Sequence, residues 1–287
     1  MSSDSSHPTA SDTGAASTWA TGDTGAALLE ITGVTKRFGG LPAVDNLTCA
    51  VRQGETLGII GPNGAGKSTL IGLIGGSLAP TSGVIRFDGQ DISHLAPHNR
   101  ARIGIARTFQ VAQPFVGLNV RENVIVGALF GRRNLSRAEA GRVADEVLEQ
   151  VGMEQKAGYI GGQLTVADRK RLEVARALAT SPRLLLLDEV MSGLTGNEVM
   201  QAVELIRRIN RSGVTVIVVE HILRAIKGVS DRVLVIHHGA KIAEDLPDAV
   251  LSDPRVIEAY LGQRYAQQQK QVSADQAQTD EWKGGLA

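Results

Sequence analysis

A glycine-rich segment contains the residues best suited to chemistry. It reads Gly61, Pro62, Asn63, Gly64, Ala65, Gly66, Lys67, Ser68 and Thr69. This order matches the pattern G-x-x-x-x-G-K-[ST], in which glycines let main-chain N–H groups converge on phosphate oxygens. Lys67 supplies a positive charge for terminal phosphates, and the Ser68 hydroxyl is a ligand for Mg²⁺. The alternative, a glycine-rich turn that fits by chance, is disfavoured by the apolar strand before it and the helix after it.

Two adjacent acids, Asp188 and Glu189, follow the apolar run 184–187. In a fold that binds phosphate, an Asp at a strand end holds the water shell of Mg²⁺. A neighbouring carboxylate orients or deprotonates an attacking water. The alternative is a buried strand followed by a helix cap. Together with the phosphate pattern upstream, the acids predict hydrolysis of a nucleoside triphosphate.

Strands and helices alternate along the chain, which predicts an α/β fold. An apolar strand at 55–60 runs into the glycine-rich segment, and a helix is expected from about Gly66. Helical patterns dominate from about 91 to 180. We therefore expect a P-loop nucleoside-triphosphatase core with a mainly parallel sheet, an antiparallel β flank and an inserted helical subdomain. The strands expected in the flank are 27–34, 47–51 and 83–87.

Local signals place further elements. Ser136 and Glu139 form a capping box before a helix, and a second helix is expected over 168–179. Asn197 is expected to cap a third helix. The strands expected after it are 214–219, 232–236 and 241–244, the last two as a hairpin.

Composition excludes several classes of protein. Lys plus Arg and Asp plus Glu both number 30, so no positive excess predicts binding to nucleic acid. Cys49 is the only cysteine, which excludes an internal disulfide and a multi-cysteine metal site. No apolar run approaches the roughly 18 residues that span a bilayer. Residues 1–26 lack the features of a signal peptide, and we expect both 1–26 and 263–287 to be disordered tails, although the second could extend a final helix.

Taken in order, these motifs resemble the ATP-binding cassette (ABC) family over nearly all of residues 27–262. The resemblance implies that the ligands are ATP and Mg²⁺ and that the domain spans 27–262. It also implies that Phe38 stacks on adenine, that Gln110 touches Mg²⁺ and links the helical subdomain to a membrane partner, and that His221 contacts the γ-phosphate. The alternatives are a core aromatic, a solvated glutamine and a structural histidine.

One segment departs from the family pattern. The family usually reads Leu-Ser-Gly-Gly-Gln, whereas this chain reads Leu164, Thr165, Val166, Ala167 and Asp168. In the family this loop binds the γ-phosphate of the ATP held by the opposite subunit. Thr165 keeps a hydroxyl and the next two residues keep N–H donors at a helix start, but Asp168 repels a triphosphate unless it points away. We expect the contact across the dimer to be kept. A normal rate of ATP turnover and an altered rate are both alternatives.

A finer resemblance, to the ATP-binding subunits of branched-chain amino-acid importers, is carried by residues 38–45, 104–110 and 257–262. It implies a second ABC ATPase subunit, identical or related, as a partner. It also implies separate transmembrane permease subunits, a solute-binding protein, and a peripheral location at the cytoplasmic face of the inner membrane. Urea importers and lipopolysaccharide-extracting ATPases share these motifs. They remain alternatives, as do regulatory and non-transport ABC ATPases.

Overall fold

The computed structural model describes residues 27–108 and 114–260. The predictions for 1–26, Gln110 and 263–287 lie outside the described residues. The strands are β1 (Ala27–Phe38), β2 (Leu41–Arg52), β3 (Thr56–Ile60), β4 (Ser82–Phe87), β5 (Gln90–Asp91), β6 (Ile105–Arg107), β7 (Leu184–Asp188), β8 (Thr215–Val219), β9 (Arg232–His237) and β10 (Ala240–Asp245). The helices are α1 (Lys67–Gly75), α2 (Pro97–Ile103), α3 (Val120–Leu129), α4 (Arg137–Val151), α5 (Val166–Ala179), α6 (Gly196–Arg211), α7 (Leu223–Val229) and α8 (Pro247–Ser252).

The larger sheet has the strand order β10-β9-β3-β8-β7-β6. Its strands run parallel except β10, which forms an antiparallel hairpin with β9. The central strands β3, β7 and β8 are buried along their whole length, as expected for strands covered on both faces. Because parallel strands end at the same edge, the chain places three segments together there. They are the turn after Ile60, the acid Asp188 and the residues that follow Val219.

The smaller sheet is antiparallel, with the order β2-β1-β4-β5. Together the two sheets confirm the predicted α/β fold with a mainly parallel sheet and an antiparallel flank. β1 and β2 are longer than the sequence predicted, because their pairing continues to the turn where Phe38 lies opposite Leu41. The end of this hairpin brings Ala43 of β2 beside the glycine-rich segment.

Alternating side chains of the central strands face two separate apolar clusters. On β7, Leu184 and Leu186 pack with α1 and the antiparallel sheet, whereas Leu185 and Leu187 pack with the helices on the opposite face. β8 divides in the same way, with Ile217 in the first cluster. The alternation follows from the two-residue period of a strand, and burial on both faces fixes the register of the sheet.

The helices α2 to α5 lie within residues 91–180. α3 packs against both α4 and α5, and the short strand β6 in this range pairs with β7 in the larger sheet. The predicted capping box is confirmed: Ser136 Oγ accepts from the Glu139 N–H, and the Glu139 carboxylate accepts from the Ser136 N–H. Among the described residues, no helix combines the length and apolar character needed to cross a membrane.

Two predicted helix starts were wrong by about two residues. α5 begins at Val166 because Thr165 is its N-cap, with Thr165 Oγ1 accepting from the Asp168 N–H. Likewise Thr195, and not Asn197, caps α6, because the Glu198 carboxylate reaches back to the Thr195 N–H and completes a capping box. Both corrections come from a threonine whose hydroxyl satisfies a donor of the first turn.

Candidate nucleotide-binding and hydrolysis site

The segment 61–69, which we call the phosphate loop, is held between two main-chain carbonyls. A Cβ on Gly66 would lie 2.1 Å from the Ala43 carbonyl oxygen, and one on Gly61 would lie 2.1 Å from that of Ile236. Gly66 also has φ 104°, a conformation that favours glycine. The turn between β9 and β10 braces the loop further, because the Gly239 N–H donates to the Ala65 carbonyl at 2.9 Å. These positions therefore require glycine for reasons of space as well as backbone conformation.

The functional groups of the loop point inward. Gly66 precedes α1 with no side-chain cap, so the first N–H groups of that helix are available to an anion. Lys67 Nζ donates to the Gly61 and Pro62 carbonyls at 2.7 and 2.9 Å. Burial lowers the pKa of Lys67, while the Glu189 and Asp188 carboxylates act in the opposite direction. The ammonium group is thus already held at the mouth of the loop.

A cavity of about 640 Å³ joins the phosphate loop to the ends of β7 and β8. It contains residues that are separated by more than 100 positions in the sequence. The lining residues are Ala43, Asn63, Gly64, Ala65, Gly66, Lys67, Ser68, Thr69, Glu189 and His221. The fold therefore brings both sequence-predicted catalytic residues to the predicted phosphate loop.

Asp188 ends β7 and is 2% exposed. Its Oδ2 accepts from an Arg107 guanidinium N–H at 2.9 Å. Its Oδ1 is buried and has no hydrogen-bond partner within 27–108 and 114–260. A buried carboxylate oxygen without a partner is costly unless a ligand satisfies it. Asp188 together with the Ser68 hydroxyl therefore fits Mg²⁺, a cation that prefers oxygen ligands and retains water.

Glu189 has the left-handed φ of 51°, which is uncommon for a residue with a side chain. Its N–H donates to the Val219 carbonyl at 2.9 Å, and its carbonyl accepts from Lys170 Nζ at 2.8 Å. The side chain lines the cavity. An outlier of this kind at a strand end is typical of active sites, where surrounding contacts hold a strained backbone.

His221 follows β8 and also lines the cavity. Its side chain is 53% exposed, and Nδ1 lies 3.9 Å from Oε2 of Glu220, a buried carboxylate. An exposed imidazole at the rim of the cavity is able to contact a ligand there, which a core histidine could not do.

The predicted adenine contact, Phe38, lies on the hairpin that also carries Ala43. Phe38 ends β1, is 52% exposed and has Lys36 Nζ 5.3 Å from its ring centroid. It is absent from the described residues that line the cavity, although Ala43 on the same hairpin is among them. The contact of Phe38 with adenine therefore stays a prediction. Gln110, the other predicted contact, lies outside the described residues.

The departing segment 164–168 leads into α5, and its acid, Asp168, is paired with Lys156. Leu164 is buried, whereas Thr165 and Val166 are exposed. Lys156 Nζ donates to both carboxylate oxygens of Asp168 at 2.6 and 2.7 Å, and Thr165 Oγ1 donates to Oδ2. Burial opposes ionisation of Asp168, but these hydrogen bonds outweigh it and hold its pKa below the usual value. The expected repulsion of a phosphate is thus reduced by an internal ion pair.

The comparison with known families decides the assignment. A family model described as ABC transporter matches residues 44–192, just over half of the chain. The chain belongs to the ABC transporter ATP-binding family. A second model, described as branched-chain amino acid ATP-binding cassette transporter, matches residues 240–266. The ABC transporter model covers the phosphate loop, the departing segment and the acid pair.

The match with curated relatives of this ABC chain extends over nearly the whole length of each relative. It is 37% identical over 250 residues to the high-affinity branched-chain amino acid transport ATP-binding protein BraF of Pseudomonas aeruginosa, covering 82% of this chain and 98% of that protein. The corresponding protein LivG of Escherichia coli is 34% identical over the same shares. The lipopolysaccharide export system ATP-binding protein LptB of Haemophilus influenzae is 32% identical, covering 83% of this chain and 98% of that protein.

Solved structures agree with the ABC fold. The ADP conformation of an ATP-binding cassette of an ABC transporter has TM-score 0.75 and 30% identity, covering 83% of this chain and 99% of that one. A dimeric post-hydrolysis state of another cassette, bound to ADP and phosphate, has TM-score 0.69 and 28% identity, covering 76% and 98%. The chain is therefore an ABC ATPase, and its class binds and hydrolyses ATP.

Sequence reasoning missed four charged residues that the ABC fold places around the site. Arg107 pairs with Asp188, and Lys156 pairs with Asp168. Lys170 contacts the Glu189 carbonyl, and Glu220 accepts from the Met191 N–H at 2.7 Å. An acid directly after an apolar strand, as at Glu220, was an available signal. The partners of the other three lie too far along the chain for spacing to reveal them.

Proposed function

We propose that this chain binds ATP with Mg²⁺ at the phosphate loop and uses Glu189 to activate the attacking water, so that hydrolysis drives uptake of branched-chain amino acids through separate permease subunits. The observation that carries the proposal is the cavity in which Lys67, Glu189 and His221 meet. A phosphate cradle and a carboxylate at one cavity are the two components that hydrolysis of a phosphoanhydride requires.

Each residue has a distinct role in the proposed reaction. Lys67 exchanges its contacts with the Gly61 and Pro62 carbonyls for phosphate oxygens. Ser68 and Asp188 hold Mg²⁺, which supplies charge neutralisation at the phosphates. The Glu189 carboxylate accepts a proton from water while the water oxygen attacks the γ-phosphorus. The bond between the γ-phosphorus and the bridging oxygen breaks, and ADP leaves. His221 donates to a γ-phosphate oxygen from the rim of the cavity.

We place a second ABC ATPase subunit across the site. The 164–168 segment is absent from the described lining of this chain's own cavity, yet it presents exposed Thr165 and Val166 at a helix start. A helix N-terminus that faces outward suits the phosphates of an ATP held by another subunit. The dimeric post-hydrolysis relative supports this arrangement.

A groove of about 420 Å³ supports the permease as the other partner. It runs between α2, α3 and α5, and its lining includes Ala101, Val126, Ala177 and the 76% exposed Phe130. An apolar groove of this kind suits an amphipathic helix. The proposed occupant is a cytoplasmic segment of a transmembrane subunit, which places the chain at the cytoplasmic face of the inner membrane. A solute-binding protein completes the importer.

The cargo assignment rests on the match at 240–266 and on the names of the BraF and LivG relatives. Lipopolysaccharide extraction is the second candidate, favoured by the similarity to LptB. Co-purification with the membrane subunits, followed by uptake of labelled leucine in vesicles, separates the two. ATP-dependent leucine uptake is expected, whereas transfer of lipopolysaccharide without leucine uptake would favour the second candidate.

Two variants test the proposed hydrolysis. Glu189→Gln should lower kcat by at least about a hundredfold, because it removes the base, while binding of ATP with Mg²⁺ is retained. Lys67→Ala should weaken ATP binding itself, as measured by calorimetry on the full chain. Near-normal hydrolysis by Glu189→Gln would refute Glu189 as the base. Unchanged affinity in Lys67→Ala would refute the phosphate role of the lysine.

A further inference from the structure

The main chain around Glu189 is held by contacts from two different elements. The Glu189 N–H donates to the Val219 carbonyl of β8 at 2.9 Å, which extends the pairing of β7 with β8 by one residue. Beyond this point the backbone turns into the left-handed region, with φ 51°. A residue in that region costs about 1–2 kcal/mol and persists only where neighbouring contacts impose it.

Lys170 supplies one of these contacts. It lies one turn into α5, is partly buried, and its Nζ donates to the Glu189 carbonyl at 2.8 Å. Burial lowers the pKa of Lys170, while the Glu220 and Glu189 carboxylates raise it. The ammonium group directs one N–H to the carbonyl of the proposed base.

Glu220 supplies a further contact to the same turn. It is fully buried after β8, and its Oε1 accepts from the Met191 N–H at 2.7 Å. Met191 is two residues beyond Glu189. The hydrogen bond from Lys170 to the Glu189 carbonyl and the one from the Met191 N–H to Glu220 therefore lie on either side of Val190. A fully buried carboxylate is unfavourable unless it makes a specific contact, and here that contact is with the turn that follows the proposed base.

We propose that Lys170 and Glu220 are positioning residues that hold the Glu189 turn and thereby direct the Glu189 carboxylate into the cavity. The inference rests on the proposed role of Glu189 as the base. Lys170 lies one turn after Thr165, the N-cap of the same helix.

Substitutions of Lys170 give the main test, because the side chain is only partly buried. Lys170→Met keeps the aliphatic stem and removes the donor, so kcat for ATP hydrolysis should fall about tenfold to a hundredfold, the cost of misplacing a catalytic group by about 1 Å. KM for ATP and the calorimetric affinity should stay within about twofold. Lys170→Arg keeps a donor and should restore most of the rate. Lys227→Met, on α7 in an ion pair with Asp248, is the matched control and should leave kcat unchanged.

Glu220 provides an independent pair of variants. Glu220→Gln retains an oxygen acceptor for the Met191 N–H, so its kcat should stay within about threefold, whereas Glu220→Ala should lose about tenfold or more. If Lys170→Met and Glu220→Ala both hydrolyse ATP at the unaltered rate, the positioning role is overturned. A loss accompanied by an equal loss of ATP affinity would also overturn it, since it would indicate a damaged binding site.

A double-mutant cycle separates failure of this inference from failure of the proposed base. In a Glu189→Gln background, single-turnover hydrolysis should lose nothing further when Lys170→Met is added, because Lys170 acts through Glu189. A further loss of the same factor as in the unaltered chain would mean that Lys170 acts independently and would overturn the inference. Normal turnover by Glu189→Gln alone would instead refute the base, a result that the cycle reports separately.

Discussion

Asp168 shows how a single residue can be tolerated at a position where its charge is unfavourable. It stands at the start of α5, where an acid stabilises the helix but opposes an incoming phosphate. Lys156 neutralises it through two short hydrogen bonds, and the Thr165 hydroxyl adds a third. The family pattern has an uncharged Gln at this position. In this chain the ion pair with Lys156 offsets the negative charge that Asp168 introduces.

Removing Lys156 should therefore weaken the proposed closed dimer. In a Glu189→Gln background, which traps bound ATP, Lys156→Ala should raise the dimer dissociation constant about fivefold, the effect expected for a partly exposed ion pair worth about 1 kcal/mol. Asp168→Asn combined with Lys156→Ala should restore dimerisation. Light scattering with ATP and Mg²⁺ measures both.

Lys227→Ala is the control for the loss of one positive charge. It removes an exposed lysine on α7 that pairs with Asp248 on α8. It should leave the dimer unchanged. Equal weakening in the single and double variants would contradict the role of Lys156 as a neutralising partner, because the carboxylate would then not be the cause.

Among the elements, the phosphate loop contains two positions that exclude a side chain. Its two critical glycines meet carbonyl oxygens of β2 and β9, elements that are distant in sequence. The motif predicted the loop, but the reason why Gly66 cannot change was not visible in the sequence. The oxygen that excludes a side chain belongs to Ala43, and only the folded hairpin brings it there.

Gly66→Ala should lower the free energy of unfolding more than an alanine at an equally left-handed but open position. Gly213 has φ 94°, and no atom of the described part of the chain lies within 4 Å of an added Cβ, so Gly213→Ala measures the conformational cost alone, about 1–2 kcal/mol. Gly66→Ala should cost about 1–3 kcal/mol beyond that, since its Cβ overlaps the Ala43 oxygen. Urea unfolding of the two variants measures the difference, and equal losses would contradict the steric argument.

The sequence predicted two helix starts about two residues too late. Both α5 and α6 start earlier than expected, because Thr165 and Thr195 provide caps that compete with the Asp and Asn further on. The predicted strands of the larger sheet match the structure within about one residue at each end, since an apolar run is set by burial on both faces, whereas β1 and β2 extend beyond their predicted bounds. A cap depends on which of several suitable side chains meets a free N–H, and periodicity does not reveal that.

At the scale of the molecule, parallel strand order creates the site. Asp188, Glu189 and His221 lie near the phosphate loop because β3, β8 and β7 are adjacent and end at one edge. The sequence motifs predicted these residues. The surrounding charges were missed, because Lys170 comes from a helix packed outside the sheet and Glu220 resembles the end of an apolar strand.

Glu220 should also make the stability of the whole fold depend on pH. Burial raises its pKa from 4.5 to about 7, with Glu189 contributing, while the Met191 N–H and Lys170 lower it. The folded state therefore binds this proton more tightly than the unfolded state. The stabilising contribution is complete below about pH 4.5 and is lost as the pH rises through about 7.

Glu220→Gln removes the buried charge, so it should raise the free energy of unfolding at pH 8 by up to about 3 kcal/mol and by much less at pH 5. Urea unfolding at the two pH values measures this change. Glu204→Gln, an exposed site on α6, should change stability little at either pH. A Glu220→Gln effect of the same size at pH 5 and pH 8 would contradict the assignment.

The brace between Gly239 and Ala65 has a thermodynamic consequence for ligand binding. Since that hydrogen bond and the adjoining carbonyls shape the loop, part of the entropy of ordering these residues is lost during folding. Association with nucleotide then begins from a loop whose backbone is already ordered, which lowers the entropic cost of binding.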